Sequence, residues 1–395
     1  MGEAFVYDAI RTPRARVRRD GGTLAGVPSY DLLAHLLREL AHRGLPPEVV
    51  DDVVIGVSTT VGEQAGDLAR VAVMRAAWPD ETPAGVVSRL CCSGLDAIAS
   101  GAGQVRSGMA DVVVVGGAES MSRTPMMSDQ PAFALQDELG ESTGFVTIGV
   151  AADATAVKHG FGRAELDAFA VRSHVRAAAA EWACVVPIEV DGHLLDRDEG
   201  ARPDVTTESL AQLPALFSTD PLWERVERRL PGFERPATGL HTVATAPQMC
   251  DGASAAVIGS AQAAETLGRA PLARVAGWAH VAVRSPSLDG TVAAARTALT
   301  RAGITAGDLA VAELNESFAT TPLLLARELD LDDDVVNVQG GAVAVGHPLG
   351  ASGGMLLAHA TELLGRRGGG YGLLVIPGAL GVATAIVIEG LGAAA

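Results

Sequence analysis

The strongest constraint on the fold is a local pattern that occurs twice along the chain. In the first half, Cys91–Gly94 opens an apolar segment that leads to a valine-rich run ending in Gly116-Gly117. In the second half, His347–Gly353 opens a similar segment that leads to Leu373–Ile376 and a Pro-Gly pair. Each half therefore places a reactive side chain before a Ser-Gly helix start, followed by a buried strand and a tight turn. The pattern predicts a duplicated α/β unit built on a parallel sheet, with a site where the halves meet.

The region between these halves differs in composition. Residues 121–250 are richer in charge and proline, which indicates an inserted lobe. We expect an N-terminal half over residues 1–120 that is completed by 251–273, and a C-terminal half over 274–395. The long apolar stretch near the carboxyl end is split by Pro377-Gly378, so it predicts two buried strands rather than a membrane span.

Composition and charge exclude several classes of function. Hydrophobic residues make up 48% of the 395 residues and charged residues 19%, which indicates a large core. A formal net charge of −17 disfavours nucleic acid and anionic membranes as partners. Four cysteines in a chain of this length predict no disulfide framework, and from the motifs we expect neither a metal site nor a signal peptide. We expect a cytoplasmic protein without a bound metal or cofactor.

Three residues are candidates for chemistry. Cys91 directly precedes an apolar helix, whose N–H groups favour a thiolate, although most free cysteines are small buried hydrophobes. His347 lies in a glycine-dense loop, where it is either a general base or a histidine held by backbone carbonyls. Asn315 follows a predicted strand and is either an oxyanion donor or an ordinary turn residue. A phosphate cradle over Gly340–Gly354 is disfavoured because the glycine spacing of such loops is missing.

Taken together, these segments resemble the thiolase superfamily over nearly the whole chain. The resemblance rests on Ser88–Ala97 (nucleophile segment), Gly117–Ser122, Asn315–Ala319 (NEAF motif) and Gly340–Gly353 (GHP motif), and on Ile10–Pro13, Asp167–His174 and Asp251–Ser254. Asp96 makes the nucleophile segment most similar to 3-oxoadipyl-CoA thiolases. The resemblance implies a five-layer αβαβα fold with a loop lobe that helps to bind CoA, and assembly into homodimers or homotetramers.

The resemblance also implies roles for individual residues. Cys91 would be acylated by a CoA thioester, His347 would activate it, and Asn315 with His347 would serve the thioester oxygen of the second substrate. The backbone N–H of Cys91 would form part of an oxyanion hole. Residues expected at the substrate or CoA site are Ile148, Arg225, Arg228, Pro247 and Ser352. From the residues alone, the pattern of Arg225, Arg228 and Arg229 favours a solvated helix face with intrahelical ion pairs over a basic patch for phosphate.

The sequence departs from the family pattern near its carboxyl end. Thiolases of this type carry a second cysteine in a C-x-G-G turn, which moves a proton on the substrate carbon, but here the position is Val375. The glycine that supplies a second oxyanion-hole N–H corresponds to Pro377, or to Gly378 after a one-residue slip. Pro247 replaces a CoA-binding serine, and residues 221–240 form an apparent insertion.

Three functions are compatible with this pattern. The first is a thiolase-like acyltransferase that thiolyses 3-oxoacyl-CoA or performs a Claisen condensation through a Cys91 acyl-enzyme. The second is an acyltransferase with a different acceptor, such as a carrier-protein thioester, or a decarboxylating condensing enzyme, which needs no second acid or base. The third is a degenerate structural subunit of an acyltransferase complex. Intact Cys91 and GHP segments favour the first two.

Overall fold

The computed structural model describes residues 2–392. Its strands are β1 (Phe5–Arg11), β2 (Ala15–Arg16), β3 (Asp52–Gly56), β4 (Ala84–Val87), β5 (Val112–Ser120), β6 (Ile188–Val190), β7 (His193–Leu195), β8 (Cys250–Gly259), β9 (Ala273–Ala282), β10 (Leu309–Leu314), β11 (Gly370–Pro377) and β12 (Val382–Gly390).

The helices alternate with these strands. They are α1 (Ser29–His42), α2 (Leu68–Arg75), α3 (Ser93–Ser107), α4 (Ala132–Leu135), α5 (Asp137–Thr143), α6 (Ile148–Lys158), α7 (Arg163–Ala178), α8 (Thr207–Ala211), α9 (Trp223–Arg229), α10 (Ala263–Leu267), α11 (Gly290–Ala302), α12 (Thr320–Leu329), α13 (Ala342–Val345) and α14 (Ser352–Arg367). None of the helices within residues 2–392 is both long and apolar enough to cross a membrane.

Three apolar clusters fill the interfaces between five layers, and the middle cluster packs on both sides of the central layer. One side of the N-terminal half-sheet packs against α1 and α2, and one side of the C-terminal half-sheet packs against α11 and α12. Helices α3 and α14 lie between the two half-sheets, in a cluster to which both sheets contribute. This α-β-α-β-α order is the duplicated architecture that the sequence predicted, and it makes α3 and α14 the central layer.

The sheet is mixed, which corrects the expectation of a parallel unit. The strand order is β10-β11-β12-β9-β1-β8-β5-β3-β4, with a short β1–β9 pairing that joins the two halves. Strand β3 runs parallel to β4 and β5, and β10 runs parallel to β11, but β8 and β12 are antiparallel to their neighbours. The reason is that β11 returns to β12 through a tight turn, and a turn that short can join only antiparallel strands.

The region 121–250 contains short elements at the edge of this core. Helices α4 to α9 and the small β6–β7 hairpin lie here, and α7 packs onto the C-terminal half through α13. Helix α7 ends at Ala178, and Ala179 forms its C-cap. Strand β8 follows the region and pairs with β1 and β5 in the N-terminal half.

Candidate active site

The two repeated helix starts meet at the centre of the molecule. A side chain on Gly94 of α3 would come within 2.6 Å of the Gly350 carbonyl and 2.9 Å of the Gly353 nitrogen. A side chain on Gly353 would in turn come within 2.2 Å of the Leu95 nitrogen. Both positions therefore require glycine, because the helix backbones touch. This contact brings the loop before α3, which carries Cys91, next to the loop before α14, which carries His347.

Cys91 lies on a strained turn at the start of α3. Leu90 before it has a φ of +52°, which a residue with a side chain rarely adopts. Cys91 is half-buried, whereas the other three cysteines are buried. Burial, followed by the charge of Glu119, raises the pKa of the Cys91 thiol to about 12. The expected helix-stabilised thiolate is therefore corrected to a neutral thiol, and a base must accept its proton during attack.

His347 is held as a neutral base. Its Nδ1 lies 2.7 Å from the Ser352 hydroxyl, and its backbone N–H donates to the Gln248 carbonyl at 3.0 Å. Burial, followed by the charge of Arg14, lowers the pKa of the imidazole to about 3. When Nδ1 carries the hydrogen and donates to Ser352, Nε2 has a free lone pair. That tautomer is the one required to accept a proton from a thiol.

Asn315 and His347 are neighbours. Nδ2 of Asn315 lies 3.5 Å from Nε2 of His347 and donates to the Ser317 hydroxyl at 2.6 Å. The backbone N–H of Asn315 donates to the Val375 carbonyl at 2.8 Å, because β10 and β11 are parallel partners at this point. The structure thus brings together the imidazole, the amide and the altered turn.

The altered turn offers no replacement for the missing groups. Val375 is 1% exposed and belongs to the apolar cluster of α11 and α12. Pro377 has no N–H, and the N–H of Gly378 already donates to the Val382 carbonyl at 2.7 Å. Neither alignment of the turn therefore leaves a free backbone donor at these two residues.

Two other cysteines near the site are fully buried. Cys92 is buried in the central apolar layer and donates to the Ile376 carbonyl at 3.2 Å. Burial also raises its pKa. Cys250 is buried behind Gly346, where a side chain would approach its sulfur to 2.7 Å. Neither thiol is suited to the task of the missing cysteine.

The residues expected at the CoA site lie in different places. Ile148 begins α6 and packs with an aromatic cluster that includes Phe318. Pro247 is half-buried, next to Gln248, whose carbonyl binds the His347 N–H. Ser352 is buried and its hydroxyl contacts His347 Nδ1, a position suited to orienting the imidazole, while its expected role in binding CoA stays a prediction.

Arg225 and Arg228 are engaged by one acid from another helix. Glu141 accepts from Arg225 Nε at 2.9 Å and from a terminal nitrogen of Arg228 at 2.6 Å. Arg225 is buried and also donates to the Phe145 carbonyl. The intrahelical reading holds only for Arg228, which approaches Glu224 at 3.7 Å. Both guanidinium groups are therefore paired with acids, and their expected role at the CoA site stays a prediction.

Two buried glutamates that the sequence analysis missed hold the loops in place. Glu119 accepts from the backbone N–H groups of Ser58, Thr59 and Gly350 and from Gln64. Glu316 accepts from Ser173, Asn337 and the Val343 N–H. The signal was available, since each is an acid inside a segment that resembles a family motif. Ser317, which binds Asn315, was also visible as the serine that replaces alanine in the NEAF pattern.

Comparisons with known proteins agree with this geometry. Residues 4–221 match the family described as "Thiolase, N-terminal domain", and residues 269–390 match "Thiolase, C-terminal domain". The chain is 36% identical to a beta-ketoadipyl-CoA thiolase of Escherichia coli, with 98% of this chain and 100% of the relative covered. It is 35% identical to an acetyl-CoA acetyltransferase of Chromobacterium violaceum, with 95% and 98% covered.

A solved structure shows the same fold. The human mitochondrial 3-ketoacyl-CoA thiolase in complex with CoA superposes with a TM-score of 0.86 at 33% identity, covering 98% of each chain. No group of three or more potential metal ligands is clustered within residues 2–392. The matches over both halves, together with the paired helix starts, show that the chain belongs to the thiolase family of acyltransferases.

Proposed function

We propose that this acyltransferase carries the acyl group of a CoA thioester on the sulfur of Cys91. The observation that supports this most is the placement of a half-buried thiol on a strained helix start that packs against the helix start following His347. Such a turn presents the sulfur to a substrate while the neighbouring loop supplies the base. The acyl-CoA substrate is inferred from the relatives, and a carrier-protein thioester is the alternative to CoA thioesters as the second substrate.

The acylation step uses groups within this site. The Cys91 sulfur attacks the thioester carbonyl as its proton passes to His347 Nε2, and the carbonyl oxygen becomes an oxyanion. The backbone N–H of Cys91 is our candidate donor to that oxygen, and one such donor contributes about 3 kcal/mol. The C–S bond to CoA then breaks, and His347 returns the proton to the departing CoA sulfur. The products are free CoA and a Cys91 thioester.

The second half of the reaction is where this chain differs from its relatives. Thiolysis of a 3-oxoacyl-CoA expels a carbanion that must take up a proton, and the reverse condensation must remove one. Val375 can do neither, and Pro377 withholds an oxyanion donor. We therefore propose that Cys91 acylation is retained and that thiolysis of acetoacetyl-CoA is slow.

A second candidate function is supported by the same turn. In a decarboxylating condensation, loss of CO2 generates the carbanion, so no group at position 375 has to remove a proton. The set of Cys91, His347 and Asn315 is sufficient for that chemistry. Malonyl-CoA offered to the acylated enzyme would distinguish this function from thiolysis, because only decarboxylating condensation releases CO2.

Intact-mass measurement after incubation with acetyl-CoA tests the proposal. We expect one acetyl adduct on the wild-type chain and on Cys92→Ala, and none on Cys91→Ala. Cys92→Ala is a matched control because it removes the adjacent thiol, which is fully buried and donates to the Ile376 carbonyl. An adduct that persists on Cys91→Ala would refute the assignment of the nucleophile. Absence of any adduct would favour a structural subunit.

The expected homo-oligomer also stays a proposal. Strand β4 ends the sheet order and pairs on one side only, with β3, and its four residues are half-buried. An unpaired strand edge of this kind can be covered by the same strand of a second copy. Light scattering on the purified protein distinguishes monomer, dimer and tetramer. The cytoplasmic location expected from the sequence is likewise a prediction.

A further inference from the structure

One buried carboxylate connects the loop after β3 with the turn before α14. Glu119, in β5, is fully buried. Its Oε2 accepts from the backbone N–H groups of Ser58 at 2.9 Å and Gly350 at 3.0 Å. Its Oε1 accepts from the Thr59 N–H at 3.1 Å and from Nε2 of Gln64 at 2.7 Å. All four donors are uncharged, so hydrogen bonds alone replace the water that this carboxylate loses on burial.

The hydrogen-bond pattern assigns the ionised form to Glu119. Oε1 of Gln64 accepts from the Ser120 N–H at 2.7 Å, so its NH2 group is the end that faces Glu119 and the Thr59 carbonyl. None of the four partners can therefore accept a hydrogen from a protonated carboxyl. Burial raises the pKa of Glu119, and the hydrogen bonds from these four donors lower it. Only the carboxylate satisfies all four donors at once.

The loop after β3 supports the nucleophile. The hydroxyl of Ser93, which follows Cys91 by two residues, lies 3.3 Å from the Val57 carbonyl in this loop. A side chain on Gly56 would come within 2.3 Å of the Ser93 backbone, so the end of β3 packs directly against the start of α3. After burial, the charge of Glu119 is the next cause of the raised pKa of the Cys91 thiol, in agreement with this proximity. One pair of hydrogen bonds thus holds the loop behind the Cys91 turn.

The turn before α14 supports the base. Gly350 lies between His347 and Ser352, whose hydroxyl contacts Nδ1 of the imidazole at 2.7 Å. A side chain on Gly350 would come within 2.8 Å of the Gly56 carbonyl and 2.9 Å of Oε2 of Glu119. The turn therefore contacts both the end of β3 and the carboxylate. A shift of Gly350 would move the imidazole and the hydroxyl that orients it.

We propose that Glu119 is a positioning residue for acyl transfer, and that its carboxylate sets the approach of His347 to the Cys91 sulfur by joining the loops that carry them. The residue acts through the two loops and not on the reacting atoms. The inference deepens the proposed function, on which its effect on acyl transfer rests.

Glu119→Asp tests position without removing the charge. The side chain becomes one methylene shorter, so the carboxylate can no longer reach both loops. At saturating acetyl-CoA, the rate of Cys91 acetylation should fall about tenfold to hundredfold, because misplacing a reacting group by about 1 Å has effects of this size. The acetyl-CoA concentration that gives half of the maximal rate should stay the same, since Glu119 acts on the sulfur and the imidazole and not on CoA.

A double-mutant cycle with His347→Gln tests whether the effect passes through the base. In that background, Glu119→Asp should slow acetylation no further, whereas two independent effects would multiply. Glu119→Gln is a second variant of full length, and it presents an NH2 group to two of the N–H donors. It should also lower the saturating rate, which keeps the proposal testable if Glu119→Asp does not fold.

A control and a second reaction complete the test. Glu362→Asp is the matched control, because Glu362 also accepts two backbone N–H groups, from Ala183 and Cys184 at 2.9 Å, but lies near the carboxyl end of α14; its acetylation rate should match the wild type. Alkylation of Cys91 by iodoacetamide repeats the cycle without a thioester, so a failure of acyl transfer itself is distinguished from a failure of this proposal. The proposal is overturned if both Glu119 variants react at the wild-type rate, or if Glu119→Asp and His347→Gln act independently. It is also overturned if only the half-saturating concentration of acetyl-CoA changes.

Discussion

The contact between Ser352 and His347 gives a sharp test of how the base is oriented. Ser352→Ala removes the partner 2.7 Å from Nδ1 and leaves a buried ring nitrogen without a hydrogen bond. A buried polar group that loses its partner costs about 1–3 kcal/mol. The loss also frees the ring to place its hydrogen on Nε2, the wrong tautomer for a base. At about 1.36 kcal/mol per factor of ten, Cys91 acylation should slow about 5- to 150-fold.

Rapid-quench intact-mass measurement of Cys91 acetylation provides the rate. Ser254→Ala is a matched control, because its hydroxyl donates to the Ala351 carbonyl at 2.8 Å in the same turn but makes no hydrogen bond to His347. We expect a loss of stability in both variants and a slow acylation rate in Ser352→Ala alone. Wild-type acylation by Ser352→Ala would show that Nδ1 needs no partner, and equal slowing in both would show a general disturbance of the turn.

Three further predictions concern the turn and the buried acids and bases. Val375→Cys combined with Pro377→Gly should raise the rate of acetoacetyl-CoA thiolysis about 10²-fold or more, because it restores a proton carrier and a backbone donor. The rate is measured as acetyl-CoA formation, and an unchanged rate would show that the slow step lies elsewhere. Because burial lowers the pKa of His347 to about 3 and raises that of Cys91 to about 12, the acylation rate should be flat between about pH 5 and 9, and an inflection near 8.5 would contradict a neutral pair. Burial also raises the pKa of Glu313 from 4.5 to about 8, so the contribution of this carboxyl to stability should be full below about pH 4.5 and be lost as the pH rises through about 8. Between these pH values Tm should fall less in Glu313→Gln than in the wild type, and equal slopes in both proteins would refute the assignment.

Much of the fold was predictable because its signals are local. The leucine spacing of Tyr30–Arg43 is typical of an amphipathic helix and matches α1 within one residue at each end, and the apolar stretch divided by Pro377-Gly378 predicted β11 and β12. The relative direction of the strands, by contrast, depends on pairing between segments that are distant in sequence. Strand β8 follows the inserted region and pairs antiparallel with β1 and β5. Hydrophobic periodicity does not reveal the direction in which the chain returns to the sheet.

The sequence predicted which loops form the candidate site, but not the hydrogen bonds that connect them. The motifs identified Cys91, His347 and Asn315, but the surroundings of each side chain are formed by residues that are distant in sequence. The carboxylate of Glu119 in β5 accepts a hydrogen bond from the Gly350 N–H. The charge of Arg14, in the amino-terminal segment, helps to lower the pKa of His347. Burial raises the pKa of the Cys91 thiol, whereas a helix-terminus argument alone predicts a thiolate.

The shared action of Cys91 and His347 is most directly tested by single-turnover acetylation of His347→Gln. Neutral glutamine has a similar size and cannot accept the thiol proton, so the rate of Cys91 acetylation should fall at least about 10²-fold. His359→Gln, a buried histidine outside the site, is the control and should keep the wild-type rate. Acetylation of Cys91 at an undiminished rate in His347→Gln would contradict the pairing of thiol and imidazole across the two halves.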